Sequence, residues 1–124
     1  MLSDKEIHAT IPAKDLERAK KYYDEKLGFK PGPEESGGIR YKCKDSWFLL
    51  YPTSFAGTAQ HTVAGWVVDN IEKEIAELKA RGVVFEEYDY PTLKTTNGVA
   101  VLGANKAAWF KDSEGNILGM VQFG

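Results

Sequence analysis

Two histidines, one cysteine and several strand aromatics carry most of the chemistry open to this sequence of 124 residues. His8 lies in "EIHATIP" between Ile7 and Ala9, where strand alternation points it away from the side on which a following helix would pack, with Thr10 on the same face. An imidazole so placed can hold a hydrogen bond, move a proton or ligate a metal. His61 opens the second half of the chain, at a pocket rim or inside the pocket. Trp47 and Tyr51 share one face of "SWFLLYP" and Phe48 and Leu50 the other; alternation alone leaves open which face is inside. With Trp109, these rings would suit a flat, partly apolar organic molecule by stacking or cation–π contact. Trp66 is in register with Ile11 and reads as core. Arg40 could pair with an anion, although a solvated edge-strand arginine is the commoner case. Cys43 has no histidine beside it to generate a thiolate and reads as inert.

The stretch "DSEGNILGM", residues 112 to 120, is a turn feeding a last strand, and that strand carries Gly119 in its middle. A strand-interior glycine packs nothing and costs entropy, so it marks a bulge, a close approach or a place where a side chain would obstruct. Other catalytic signatures are missing from the sequence: there is no G-x-S-x-G, no phosphate-binding glycine loop, no dinucleotide fingerprint and no C-x-x-C. The carboxylates of "EKEIAELKARG" and "DEKLG" fall at solvent-facing helical spacing and form a charged surface.

What positions these side chains is a chain long enough for one ordinary domain. Sixteen basic against 18 acidic side chains leave a net charge of -2, which offers nothing to nucleic acid or to an anionic membrane surface. A single cysteine forms no internal disulfide, no apolar run reaches membrane-spanning length, and the first residues lack a signal-peptide core. A cytoplasmic location is the expectation.

"EIHATIPAKDLERAKKYYDEKLGF" reads as a strand, an N-capping Asp15, and a helix with Leu16, Ala19, Tyr23 and Leu27 on one face, closed by Gly28. "HTVAGWVVDNIEKEIAELKARGVVF" repeats that grammar with Asn70 as the cap, Ile71, Ile75 and Leu78 on the face, and Gly82 as the stop. Three short strand-like runs follow each helix: "FKPGPEE", "GIRYKC" and "SWFLLYP", then "VVFEEYDYP", "AAWFKD" and "NILGMVQF". The sequence therefore predicts an α+β fold, a single domain over 1–124. It is built of two βαβββ modules, about 1–54 and 61–124, with a linker at 53–60 anchored by Phe55. Such modules form a cup-shaped, mostly antiparallel sheet with helices on the outside, and the concave face is the natural ligand site. The stretch 91–106 has no counterpart of its length in the first half and reads as a functional or surface loop.

The residues "IPAKDLERAKKYYDEKLGFKP", "VVDNIEKEIAELKARGVVF" and "WFKDSEGNILGMVQ" resemble the vicinal oxygen chelate superfamily, which includes glyoxalase I, extradiol dioxygenases and bleomycin-resistance proteins. The resemblance covers nearly the whole chain. It implies metal-ligand positions on the first and last strand of each module, and of these His8 matches. Val63 falls where the second module's first ligand would be, with His61 two residues before it on the same strand face. Gly119, three residues after Asn116, falls where a metal-binding glutamate would be, and Leu50, or Tyr51 one residue on, at the remaining position. A divalent site needs three or more protein donors, so no metal and no cofactor are expected. An acidic side chain placed at 119 would be expected to lie beside His8.

The function implied is that of a small-molecule-binding protein of the glyoxalase/bleomycin-resistance type. Its ligand site would draw on His8, Thr10, Trp47, Leu50, Tyr51, His61, Val63, Trp109 and Gly119, and the protein is expected to be a homodimer. The alternative is an enzyme: a metal-dependent lyase, isomerase or dioxygenase, or a cofactor-free catalyst with His8 as base. A third is an interaction module whose cup is filled by its own side chains or by a partner.

Overall fold

Asp15 opens the first helix by accepting a hydrogen bond from the Arg18 N–H at 3.1 Å, and α1 (Leu16–Glu25) follows with Ala19 and Tyr23 fully buried on its inner face. Asn70 does the same for α2 (Ile71–Ala80), capping the Lys73 N–H at 3.1 Å while Ile71 and Ile75 turn inward. Gly28 and Gly82 end the two helices at φ of 76° and 95°, backbone that a side chain would strain. The computed structural model describes residues 1–35 and 37–124.

In the first half, β1 (Ala9–Ala13), β2 (Pro31–Glu35), β3 (Gly38–Cys43) and β4 (Ser46–Pro52) form one sheet in the order β1-β4-β3-β2. β1 runs parallel to β4 and the other pairs are antiparallel. The second half begins with β5 (Thr62–Val67) and, after α2, makes a small hairpin of β6 (Asp89–Tyr90) and β7 (Leu93–Lys94). Then β8 (Ala100–Leu102), β9 (Asn105–Lys111) and β10 (Ile117–Gln122) join β5 in the order β5-β10-β9-β8, with β5 parallel to β10. The strand order of the first sheet is thus repeated in the second, and the two sheets meet where β1 approaches β5.

Two expectations are corrected here. "VVFEEYDYP" is not a strand of the second half's main sheet: Val83 and Phe85 are buried, Phe85 makes an isolated bridge to Phe110, and its last part, Asp89–Tyr90, is β6 of the separate hairpin. The outer strand of that sheet is β8, inside the 91–106 stretch, at the place β2 takes in the first sheet. Phe55 does not anchor the linker; it is exposed, and the neighbouring Ala56 is the buried residue.

Alternation divides each sheet into two faces. Ile11, Ile39, Tyr41, Phe48 and Leu50 pack with Tyr23 on the helix side, and Ala108, Phe110, Leu118 and Met120 continue the same core beneath the second half. Trp66 joins it at Phe29 and Phe48, with ring centroids at 6.0 and 6.1 Å. His8, Thr10, Trp47 and Tyr51 are left on the opposite face of the first sheet, as are Gly119 and Trp109 on the second.

The turn between β9 and β10 clamps the halves together. The buried Asp112 carboxylate accepts from the Tyr23 hydroxyl on α1 at 2.6 Å, and Asn116 donates from Nδ2 to the Pro12 carbonyl at 2.7 Å. Glu114, its side chain fully buried, accepts from the Asp15 N–H at 2.8 Å and from two guanidinium nitrogens of Arg18 at 2.8 and 2.9 Å. Burial alone would raise the Glu114 carboxyl. Hydrogen bonds from Arg18, from the Asp15 N–H and from Ser113, with the charge of Arg18, overcome that and hold it at about 2 against an ordinary 4.5. A carboxylate depressed in the folded state adds stability that is complete above its unfolded value and is lost as the pH falls toward its folded one. Thermal stability is therefore expected to drop between about pH 4.5 and 2, and Glu114→Gln to flatten that part of the melting profile.

Candidate functional site

The answer to Gly119 lies on its neighbouring strand. Trp109 on β9 is paired in register with Gly119 on β10, and a Cβ at 119 would sit 3.3 Å from the indole Cδ1, 3.4 Å from Nε1 and 3.4 Å from the Thr62 methyl. The indole therefore covers bare backbone, an aromatic roof over a strand glycine that a side chain at 119 would push aside.

The segment after α2 is held alongside this ring. The Glu86 N–H donates to the Trp109 carbonyl at 2.8 Å, and Tyr88 exchanges backbone and hydroxyl hydrogen bonds with Thr95. Tyr88 meets Trp109 edge to face at 5.7 Å, and Tyr90 stacks on Tyr88 at 5.9 Å. Between these rings and the linker residues leading to His61 opens a cleft of about 710 Å³, within the size range of small-molecule sites. Glu86 and Lys111, both in its lining, pair at 3.7 Å. Burial, with the charge of Glu86 and the nearby Tyr90, pushes the Tyr88 hydroxyl up, so it stays protonated at neutral pH.

The first sheet is built differently. His8 stacks on Trp47 with centroids 3.8 Å apart and planes 17° apart, and Arg40 places its guanidinium 4.3 Å from the indole centroid. His8 arrives from the β1 side of β4 and Arg40 from β3, so the indole is held between two of the protein's own side chains. Arg40 lies on an inner strand, not an edge, and pairs with Glu35 at 3.1 Å. A separate cleft of about 460 Å³ lies beside His8, bordered by Trp47, Cys43 and Gly65. Burial pushes the Cys43 thiol up, which suits an inert side chain.

The nine candidate residues are thus sorted into groups. His8 and Trp47 come together at the first sheet. His61 and Trp109 come together in the larger cleft, with Gly119 under the indole. Thr10 and Tyr51 lie on the face of His8 and Trp47 but border neither cleft. Leu50 is fully buried beneath α1, on the wrong face for a ligand, and Val63 packs against the core beside a break in the β5–β10 register. Sequence reasoning missed Tyr88 and Glu86. The Tyr88-x-Tyr90 spacing, which puts two phenol rings on one side of an extended segment, was the available signal.

Metal chemistry is implied by the resemblance, and the donor set does not fit it. One implied position is an imidazole stacked on an indole, one is a core leucine, one a packed valine, and the last a glycine under an indole. Among the described residues, no three His, Cys, Asp or Glu side chains are grouped so as to hold an ion. Nor, among them, is any helix long and apolar enough to cross a membrane.

No curated protein matches the chain. Among solved structures it is similar to TnmS3, an antibiotic binding protein from Streptomyces sp. CB03234, with 23% identity, complete coverage of both chains and a TM-score of 0.73. It is similar to UcmS2 with 21% identity, 92% of this chain and 94% of that one covered, and a TM-score of 0.72. The genomically encoded fosfomycin resistance protein FosX from Listeria monocytogenes aligns with 13% identity over 98% of this chain and 94% of its own, at a TM-score of 0.70. At these identities the likeness speaks for the fold. The sequence pattern of the Glyoxalase/Bleomycin resistance protein/Dioxygenase superfamily matches residues 7–119, and with the repeated strand–helix–sheet architecture this places the chain as a member of that superfamily.

Proposed function

We propose that the protein binds a planar, partly apolar organic molecule in the cleft of the second sheet and acts by holding it. The observation that carries this reading is the difference between the two tryptophans. Trp47 has its stacking partners inside the protein, whereas Trp109 rests on Gly119 and borders a roomy cleft, and among the described residues its one aromatic neighbour is Tyr88, met edge to face. An aromatic ring that lines a concave site without an internal stacking partner is a platform for a flat ligand. The similarity to TnmS3, whose own ligands are antibiotics, agrees with it. A metal-dependent lyase, isomerase or dioxygenase has no donor set to support it, and His8, stacked outside this cleft, is not placed to act there as a base.

The test is a tryptophan-fluorescence titration with a panel of polycyclic aromatic metabolites and antibiotics. Binders are expected, and Trp109→Ala should weaken them by about 1–2 kcal/mol, the worth of one good stacking contact with part of its area. His8→Ala should leave them unchanged. A panel without a binder overturns the proposal.

We also infer a homodimer. β8 is an outer strand with Val101 and Leu102 exposed, and Phe123 is exposed nearby in the chain that follows β10, a combination that favours pairing with another copy. Sedimentation is expected to give twice the chain mass at micromolar concentration, and a monomer there contradicts it.

A further inference from the structure

We propose that the cleft of the second sheet selects a neutral hydroxyaromatic ring, with His61 as the residue that reads the hydroxyl. The inference rests on the binding reading above and adds the chemical class of the ligand.

His61 is the starting point because its one protein contact favours a particular tautomer. Its Nδ1 lies 3.0 Å from the carbonyl oxygen of Thr62. A carbonyl can only accept, so Nδ1 carries the hydrogen, and in the neutral ring Nε2 is left with a lone pair and no hydrogen. The side chain borders the cleft and is exposed, so that lone pair is open to a donor from outside the chain, water when the cleft is empty. A hydroxyl or N–H on a ligand supplies one.

The other walls narrow the class. Trp109, Tyr88 and Tyr90 offer ring faces and edges, which favour a planar aromatic body. The charged groups in the lining are Glu86 and Lys111, and they face each other at 3.7 Å. Their charges offset each other, so the lining carries no net charge to favour an anion or a cation. Tyr88 keeps its proton and brings no charge either. A flat, uncharged ring with one hydrogen-bond donor meets each of these walls. Of the common aromatic substituents, a phenolic hydroxyl is a strong donor and stays neutral at pH 7, while a carboxylate or an ammonium fails the charge requirement.

The other places in the molecule carry less. The His8–Trp47–Arg40 stack has its ring faces occupied from within, and the small apolar cavity between Phe29 and Leu78 holds about 190 Å³ and borders the core without a polar group that would orient a ligand except Glu74.

The experiment compares 2-naphthol with its methyl ether, 2-methoxynaphthalene, which has nearly the same shape and ring but no donor. Both are titrated by calorimetry against the full chain and against His61→Phe, which keeps a ring and loses the acceptor; His61 is exposed, so the variant should fold. The wild-type protein is expected to prefer 2-naphthol by about fivefold to tenfold, the range of one hydrogen bond exchanged against water. In His61→Phe the preference should fall to near one. Equal affinities in the wild type, or a preference that survives His61→Phe, overturn the hydroxyl-reading role while leaving the aromatic cleft in place. Failure of both compounds to bind, with no change on Trp109→Ala for any other ring system, overturns the cleft reading and this proposal with it.

Discussion

Asp112→Ala is expected to lower folding stability by about 4 kcal/mol or more, read as a fall in the urea midpoint at constant slope. The carboxylate accepts from the Tyr23 hydroxyl at 2.6 Å, the Glu114 N–H at 2.9 Å, the Asn116 N–H at 3.0 Å and Asn116 Nδ2 at 2.9 Å. Each donor orphaned in a buried position costs about 1–3 kcal/mol, and water would reach few of them without opening the turn. A domain of this size has about 5–15 kcal/mol in total, so the loss takes a large share of it. Asp112→Asn should cost less than the alanine variant, because its carbonyl oxygen keeps the Glu114 and Asn116 N–H bonds and the Tyr23 hydroxyl can turn to accept from the new amide, leaving Asn116 Nδ2 as the donor it opposes. A loss below about 1 kcal/mol for the alanine variant would show that the turn does not hold the halves together.

Gly119→Glu is expected to close the aromatic cleft and to bring no metal. Its Cβ would press on the Trp109 indole at 3.3 Å and on the Thr62 methyl at 3.4 Å, and the carboxylate beyond it would have to pass through the space the indole fills. Overpacking costs about 1–3 kcal/mol and a poorly solvated carboxylate adds to that, so about 3 kcal/mol of stability should go. Binding of an aromatic probe should fall more than tenfold as the indole is displaced. His8, the donor that the resemblance places nearby, is stacked on Trp47 and borders the other cleft. A Gly119→Glu protein that keeps its probe affinity and takes up zinc one to one, by elemental analysis, would refute this geometry.

The elements that a local code specifies were legible in the sequence. Asp15 and Asn70 precede their helices as capping residues should, Gly28 and Gly82 close them, and the duplicated grammar predicts the duplicated sheet order. The segment from Val83 to Tyr90 misled because its apolar and aromatic residues alternate like a strand's, while its pairing to the main sheet is one bridge at Phe110 and its last two residues pair instead within the hairpin with β7. The site was harder to read for a related reason. Period two says which residues share a face, but not which face of "SWFLLYP" the helix takes; Tyr23 beneath Phe48 decides that, and sends Leu50 into the core. Gly119 was legible as an anomaly. Its cause was not, because the covering indole belongs to a residue ten positions away whose register only the folded sheet defines.

The clamp at the β9–β10 turn also orders events in time. The contact from the Asp15 N–H to Glu114 spans 99 positions, and that from Asn116 to the Pro12 carbonyl spans 104. On a ribosome adding about 5–20 residues per second, α1 and the first sheet emerge seconds before the residues that tie them down. During that interval the N-terminus of α1 lacks its Glu114 partner, and the apolar face shared with the second half is open to the solvent and to chaperones. Docking of the halves is then expected to be a late step of folding, with the side-chain hydrogen bonds of this turn closing last. Contacts made after the rate-limiting barrier act on unfolding more than on folding, so damage to this turn should shorten the lifetime of the finished protein while leaving its rate of formation nearly untouched.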